Sequence, residues 1–274
     1  MLATVKTRTK SIKEKNKSLK PLADIQLDLI ERFLLHSPLI QPFELAEAEK
    51  LNKQLHGEYF LLGYEEKVDL TYAIPLFRSL LEWEGVGKSR KPLKILGKSL
   101  TNEDISSMLL ETLKNEDTRL WQWSSEYNID IPLLALLAQY SLLPTLVEYS
   151  LALSRDFSLD DWKKGYCPIC GAHPIMSEIR ESEKFRYLRC SSCSCDWLYQ
   201  RVQCAHCETT DHHQLDYLFI EDENKYRVDV CNQCQTYVKA VHSLSPQAYP
   251  MLLLEDLATL HLDLIATEKG YKRY

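Results

Sequence analysis

Hydrophobic positions follow two different periods along this chain. From about Pro21, the residues Leu22, Ile25, Leu27, Leu29, Ile30, Phe33 and Leu34 include spacings of three and four, which describe one face of an amphipathic helix. His36-Ser37-Pro38 ends that run, because a residue before proline disfavours the helical region. A second helix is expected after Pro42, carrying Phe43, Leu45, Ala46, Ala48, Leu51 and Leu55 and stopping near Gly57. A third spans Val68 to Trp83, with its start at Pro75 if that proline occupies the first turn. Gly85 to Lys98 is basic and contains glycine, and reads as an exposed linker; it lacks the spaced glycines and the Gly-Lys-Ser/Thr ending of a phosphate loop. Thr101-Asn-Glu-Asp104 has capping-box spacing and opens a helix to about Lys114. Arg119 to Glu126 is another, and Pro132 starts the most apolar stretch, which Pro144 kinks or divides into a buried helix pair.

After Asp161-Trp162 the period changes to about two. Ile175 to Arg180 and Phe185 to Arg189 alternate around a turn at Glu181 to Lys184, and Trp197 to Val202 supplies a third strand. The plan recurs: Leu215 to Ile220 and Lys225 to Val230 flank the turn Glu221 to Asn224, and Tyr237 to Val241 follows. A final helix is expected over Leu252 to Lys269, closed by Gly270, with Leu253, Leu257, Leu260 and Leu264 as its core stripe and Glu255, Asp256 and Asp263 on a solvated side. A helix so apolar must dock, and the helical half is the natural receiver.

Composition changes this picture little. With 45% hydrophobic and 26% charged residues in 274, the chain is an ordinary globular protein of mildly acidic net charge, −6. The first twenty residues carry Lys6, Arg8, Lys10, Lys13, Lys15, Lys17 and Lys20 against Glu14, with no apolar core of a secretion signal, and read as a solvated, flexible tail. The best membrane-span candidate, Ile131 to Leu153, is interrupted by Gln139, Pro144 and Glu148, so no membrane insertion is expected. A cytoplasmic location follows, where thiols stay reduced and metal ligation is favoured over disulfides.

The cysteines carry the chemistry. All nine lie between Tyr166 and Val238, and eight form the pairs Cys167/Cys170, Cys190/Cys193, Cys204/Cys207 and Cys231/Cys234, each Cys-x-x-Cys. Two such pairs complete a tetrahedral four-sulfur site. Each hairpin returns the chain to its start, so the second pair of a unit lands beside its first: Cys167, Cys170, Cys190 and Cys193 in one site, Cys204, Cys207, Cys231 and Cys234 in the other. The intervening nineteen and twenty-three residues are close to known four-cysteine spacing. Each module is too small for a sufficient apolar core, so bound metal contributes folding free energy. Zinc or a single iron suits four thiolates about equally on geometry, with zinc the default for a structural ribbon. Cys195 reads as a free, partly buried thiol, with a replacement ligand or redox partner as the sharper alternative; His206, His212 and His213 read as surface groups or neighbours of the ligands. A saturated four-sulfur site leaves no open position for hydrolysis, so no enzyme and no catalytic residue is expected. From Asp161 to Ala240 ten Lys and Arg face twelve Asp and Glu, which disfavours nucleic acid as a partner.

Several segments together resemble the accessory proteins for formate dehydrogenase formation, the FdhE family. They are Cys167-Pro-Ile-Cys-Gly171 with Pro174, Arg186-Tyr-Leu-Arg-Cys190-Ser-Ser-Cys193, Trp197 and Arg201 before Cys204, and Glu255 to Asp263 with Gly270-Tyr271. The resemblance covers the C-terminal half, while the N-terminal helices match in general character. It implies a cytoplasmic, non-enzymatic maturation factor that binds the catalytic subunit of formate dehydrogenase. It also implies rubredoxin-like iron at the cysteine pairs, with zinc as alternative occupant. The expected architecture is α plus small β: a flexible tail (1–20), an all-helical domain (21–160), two tandem rubredoxin-like, zinc-ribbon-like four-cysteine modules (161–202 and 203–245), and a C-terminal helix (246–274) packed on the helical domain. A rubredoxin-like redox protein and, more distantly, a zinc-ribbon nucleic-acid binder are the alternative functions.

Overall fold

The computed structural model describes residues 1–35, 39–180, 184–221 and 223–273. The expected helix stop at His36-Ser37-Pro38, most of the first hairpin turn (Glu181, Ser182, Glu183) and Asp222 of the second lie outside them. The N-terminal half is helical: α1 Leu2–Lys15, α2 Lys20–Leu35, α3 Glu47–His56, α4 Ala73–Leu81, α5 Arg90–Ser99, α6 Asn102–Leu113, α7 Thr118–Tyr127 and α8 Ile131–Ser154.

The basic N-terminus is therefore not a flexible tail. Val5, Thr9 and Ile12, at spacings of four and three, form a buried stripe against α2 and the C-terminal helices. Its cations are tied down: Lys6 pairs with Glu31 at 3.0 Å, and Arg8 with the buried Glu255 at 2.6 Å. Three buried positions among so many lysines gave too thin a signal. The expected linker is also structured, since α5 buries Leu93 and Leu96 fully. The Arg78 guanidinium closes its C-terminal end by donating to the carbonyls of Gly97 and Leu100 at 3.2 and 2.9 Å.

α3 begins at Glu47, after the expected start at Pro42, and presents an unexpected face. Lys50 and Lys53 are buried while Leu51 and Leu55 are 52% and 75% exposed. The lysines lie over the rings of Phe157 and Tyr64, and Lys53 Nζ donates to the Leu62 carbonyl at 2.7 Å, so the ammonium group is satisfied where a leucine would leave that carbonyl bare. The capping box is present, with Asp104 N–H donating to Thr101 Oγ1 at 3.1 Å and Thr101 N–H to the Asp104 carboxylate at 2.9 Å. Pro144 does not divide the apolar stretch: α8 runs continuously through it. Leu137, Leu142 and Leu143 before the proline and Leu146, Tyr149 and Leu153 after it are all buried, so packing on both sides outweighs one missing hydrogen bond. By length and composition α8 could cross a membrane, with mean hydropathy 1.4, and half of that window is buried inside the fold.

The C-terminal half is one mixed sheet. Its strands are β1 Pro174–Arg180, β2 Phe185–Cys190, β3 Asp196–Tyr199, β4 Leu215–Leu218, β5 Tyr226–Cys231, β6 Thr236–Ser243 and β7 Lys272–Arg273. The order is β3-β2-β1-β6-β5-β4, with β7 also on β6. Both expected hairpin-plus-strand units are present, and they fuse through a parallel seam in which Ser177 to Arg180 of β1 faces Ala240 to Ser243 of β6. β7 continues the same edge of β6 at Thr236 and Tyr237.

The expected single C-terminal helix is two, α9 Tyr249–Ala258 and α10 Leu260–Glu268. They break at Thr259, whose φ is −111° and whose hydroxyl donates to the Glu255 carbonyl at 2.8 Å. The break rotates the buried face. Leu253, Leu254 and Leu257 of α9 pack on α1 and α2, whereas α10 places Leu262 and Ala266 on Val228, Val230 and Tyr237 of the sheet and leaves Leu264 66% exposed. The acids expected on a solvated side hold this corner. Lys239 Nζ, fully buried, pairs with Asp256 at 2.9 Å and Asp263 at 2.6 Å, and Arg273 of β7 pairs with the same two carboxylates.

Across the seam Glu178, 0% exposed, pairs with Arg189 of β2 at 3.0 Å and Arg180 at 3.2 Å, and accepts from Ser243 Oγ at 2.8 Å and Gln247 N–H at 2.7 Å. Removing the carboxylate from this buried charge cluster leaves its two arginines uncompensated. Glu178→Ala is expected to lower stability by about 3 kcal/mol, measured as a shift in the denaturant midpoint, whereas Glu116→Ala at an exposed helix–helix junction leaves the midpoint unchanged.

Candidate metal centres

Each Cys-x-x-Cys pair sits on a tight knuckle at one end of a hairpin. Cys167 and Cys170 precede β1, Cys190 ends β2, and Cys193 follows in the next turn; Cys204, Cys207, Cys231 and Cys234 repeat this around β4 and β5. The knuckles share a backbone feature. The residue after every second cysteine has a left-handed backbone: Gly171 (φ 75°), Ser194 (φ 62°), Glu208 (φ 60°) and Gln235 (φ 56°). Three of the four are not glycine, at a cost of roughly 1 kcal/mol each, so the surroundings of each sulfur pair impose that turn. Only Gly171 hints at it in the sequence. There glycine is also required sterically, because a Cβ would lie 2.7 Å from the Tyr59 ring.

The sulfurs converge as two sets of four. Cys167, Cys170, Cys190 and Cys193 have all Sγ atoms within 4.8 Å of one another, and so do Cys204, Cys207, Cys231 and Cys234. The pairing within each hairpin unit is as expected, with no sulfur shared between units. The close Sγ···Sγ contacts are 3.4 Å (Cys167–Cys193 and Cys170–Cys190), 3.6 Å (Cys204–Cys234) and 3.7 Å (Cys207–Cys231). All nine cysteines are free, as those distances require. A tetrahedron with metal–sulfur bonds of about 2.3 Å has edges of roughly 3.8 Å, so both sets are of the right size for one ion. Backbone N–H groups donate to sulfur, from Ile169 to Cys167 at 3.4 Å, from Ser192 to Cys190 at 3.3 Å and from His206 to Cys204 at 3.3 Å. These favour thiolate and fix its orientation.

Burial and the neighbouring sulfurs set the protonation of the metal-free clusters. Desolvation pushes the Cys167 and Cys193 thiols well up, and Cys170 is raised by its hydrogen bonds to Cys167 and Cys190. Burial also opposes ionisation of Cys190, but hydrogen bonds from the other three thiols outweigh it and hold this group well below its usual value. The second cluster repeats the pattern. Burial raises Cys207 and Cys231, while the Thr236 hydroxyl, 3.0 Å from Cys234, and the neighbouring thiols overcome burial to lower Cys234. Cys190 and Cys234 are thus each shifted toward the thiolate, and metal binding is coupled to release of thiol protons.

The two centres differ in cover. The helical half closes over the first, where Phe60 and Leu61 N–H donate to the carbonyls of Pro168 and Ile169 at 2.8 and 2.9 Å, and the Tyr166 hydroxyl donates to Gly57. Trp162 and Trp197, both buried, donate indole N–H to the carbonyls of Tyr166 and Lys164 at 2.7 and 3.0 Å and brace the same loop. All four first-centre cysteines are buried, whereas Cys207 and Cys234 of the second are partly exposed. The 57–61 segment is a contributor that the cysteine spacing could not reveal.

The remaining polar candidates fall outside the sulfur sets. Cys195 is buried and donates to the Asp196 carbonyl at 3.6 Å. The His206 ring lies against His173, centroids 5.9 Å apart, where the two knuckles meet. His212 and His213 are exposed, and with Asp211 form a separate group of three donors.

Family models match residues 166–201 as "FdhE, central domain" and residues 202–274 as "FdhE, C-terminal domain". The "Protein FdhE homolog" of Aquifex aeolicus is 30% identical over 214 residues, covering 77% of this chain and 70% of that protein. The chain belongs to the FdhE family. A second FdhE homolog, from Pseudomonas aeruginosa, is 34% identical over 163 residues, 51% of this chain and 52% of that protein. FdhE of Escherichia coli is 33% identical over 114 residues, 40% of this chain and 36% of that protein. A crystal structure of the FdhE protein from Pseudomonas aeruginosa has the same fold, with TM-score 0.71 over 99% of this chain and 93% of that one at 22% identity. The same fold therefore extends through the helical half, which lies outside the residues the two family models match.

Purified protein is expected to hold one ion in each of its two cysteine clusters. A chelator at neutral pH removes the ion at the exposed centre first, and Cys234→Ser reduces metal content from two ions per chain to one. The raised thiols bind protons tightly, so occupancy is complete at higher pH and lost as pH falls. Metal analysis after timed chelation and across a pH series checks both statements.

Proposed function

We propose that this chain is an accessory factor in the formation of active formate dehydrogenase, acting in the cytoplasm by binding the catalytic subunit, and not an enzyme. Membership of the FdhE family carries this reading. The two four-sulfur sets support it chemically. With Cys167, Cys170, Cys190 and Cys193 on one ion and Cys204, Cys207, Cys231 and Cys234 on the other, every coordination position is filled, and no water can be activated there. The ion, iron with zinc as the alternative occupant, then holds the hairpin ends together. Deleting the gene is expected to abolish formate dehydrogenase activity while the catalytic subunit is still synthesised. The tagged protein is expected to retain that subunit in a pull-down. Unchanged activity in the deletion strain would overturn the assignment.

A second reading, one-electron transfer through an iron tetrathiolate, is favoured by the partial exposure of Cys207 and Cys234 and by the N–H···S bonds, which tune such potentials. Anaerobically purified protein then shows the visible bands of iron–thiolate charge transfer, which bleach on reduction. A colourless protein loaded with zinc alone excludes it.

A further inference from the structure

Beside the second centre, on the sheet face opposite α10, lies a cavity of about 250 Å³ bordered by three guanidinium groups. Strand alternation places Arg227 and Asp229 on this side of β5 and Val228 and Val230 under α10. Arg186 reaches in from β2 and Arg201 from the segment between the modules. Asp229 is the shared counter-ion, 2.7 Å from Arg227 and 3.3 Å from Arg186, so one carboxylate faces two cations. The other acid bordering the cavity, Asp216, accepts from the Tyr217 N–H at 2.8 Å. Three guanidinium groups therefore share this cavity with two carboxylates and the ligand sulfurs of Cys204 and Cys231.

The arginines differ in their freedom. Arg186 is 2% exposed and donates to the Gln203 carbonyl at 2.9 Å, but its buried Nε has no hydrogen-bond partner. Arg201 stands exposed at the rim, where its remaining donors meet solvent. Val202 and Tyr217, 49% and 52% exposed, supply an apolar wall, and the Arg227 guanidinium lies 5.3 Å from the Tyr217 ring centroid. Arg186 and Arg201 belong to the segments that carry the family resemblance, and neither is a member of a sulfur cluster.

We propose that this cavity binds a small organic oxyanion, a carboxylate or phosphate group carried on a flat apolar body. Guanidinium donors in a partly desolvated pocket select oxyanions through charge-assisted, paired hydrogen bonds. The tyrosine face and Val202 accept the flat remainder. The inference does not rest on the accessory role, and failure of either leaves the other standing.

The test is calorimetric titration of the metal-loaded protein with benzoate, phenyl phosphate and the neutral isostere benzamide. Saturable binding of benzoate or phenyl phosphate is expected, at least about tenfold tighter than benzamide; the comparison of the two anions tells carboxylate from phosphate. Arg201→Gln and Arg227→Gln are each expected to weaken the preferred anion about tenfold, the loss that accompanies one charge-assisted hydrogen bond. Both variants keep the parent's metal content, which establishes that they are folded, and Arg201 is exposed enough to be replaced without disturbing the core. Absence of anion binding, equal binding of benzamide, or unchanged affinity in both folded variants would each overturn the proposal.

Discussion

Four parallel-paired positions between β1 and β6 hold the C-terminal half together. Without them there would be two separate hairpin units, each with one metal cluster and little apolar surface to bury. With them, a single sheet spans both units, with α9 against β1 and α10 against β5 and β6. Parallel strands need a long connection, and here that connection runs from β2 through β5 and includes Cys190 and Cys193 of the first cluster and all four cysteines of the second. The seam is held by charge as well as by backbone, with Glu178 at its centre and Lys239 at the helix break beyond it. Both groups are buried and both are fully paired, which fixes register more firmly than apolar contacts alone.

Much of this architecture was legible from the sequence, for identifiable reasons. Hairpin strands alternate with period two and the cysteine pairs punctuate them, so both strand triplets and the ligand grouping could be read directly. Capping chemistry was equally plain at Thr101. Legibility failed where tertiary context overrides local preference. Pro144 is tolerated because both halves of α8 are buried, and Lys50 and Lys53 face inward because aromatic rings and a bare carbonyl receive them. The acids at Asp256 and Asp263 resemble a solvated face until Lys239 and Arg273, distant in sequence, are brought beneath them. The left-handed residues after each cysteine pair were hidden because three of the four are not glycine.

The two metal centres are chemically alike and structurally unequal. The first is walled in by Trp162, Trp197 and the backbone of residues 60 and 61, so this sulfur cluster is part of the joint between the helical and sheet halves. The second has two sulfurs near solvent and an arginine-lined cavity against Cys204 and Cys231. Events at the protein surface can reach the second cluster directly, while the first is sensed only through the fold.

The placement of α1 sets an order of events during synthesis. Val5 and Ile12 are buried against Leu253, Leu254 and Leu257, and Arg8 is neutralised by Glu255, so the first helix made has its partners near the far end of the chain. Contacts so distant in sequence close late. Until α9 and α10 emerge from the ribosome, the apolar stripe of α1 can pack only on its nearer partners, among them Ala23 and Ile30 of α2, and the sheet has no α10. The packing of α1 is therefore finished only on a chain whose four-cysteine half has already been made.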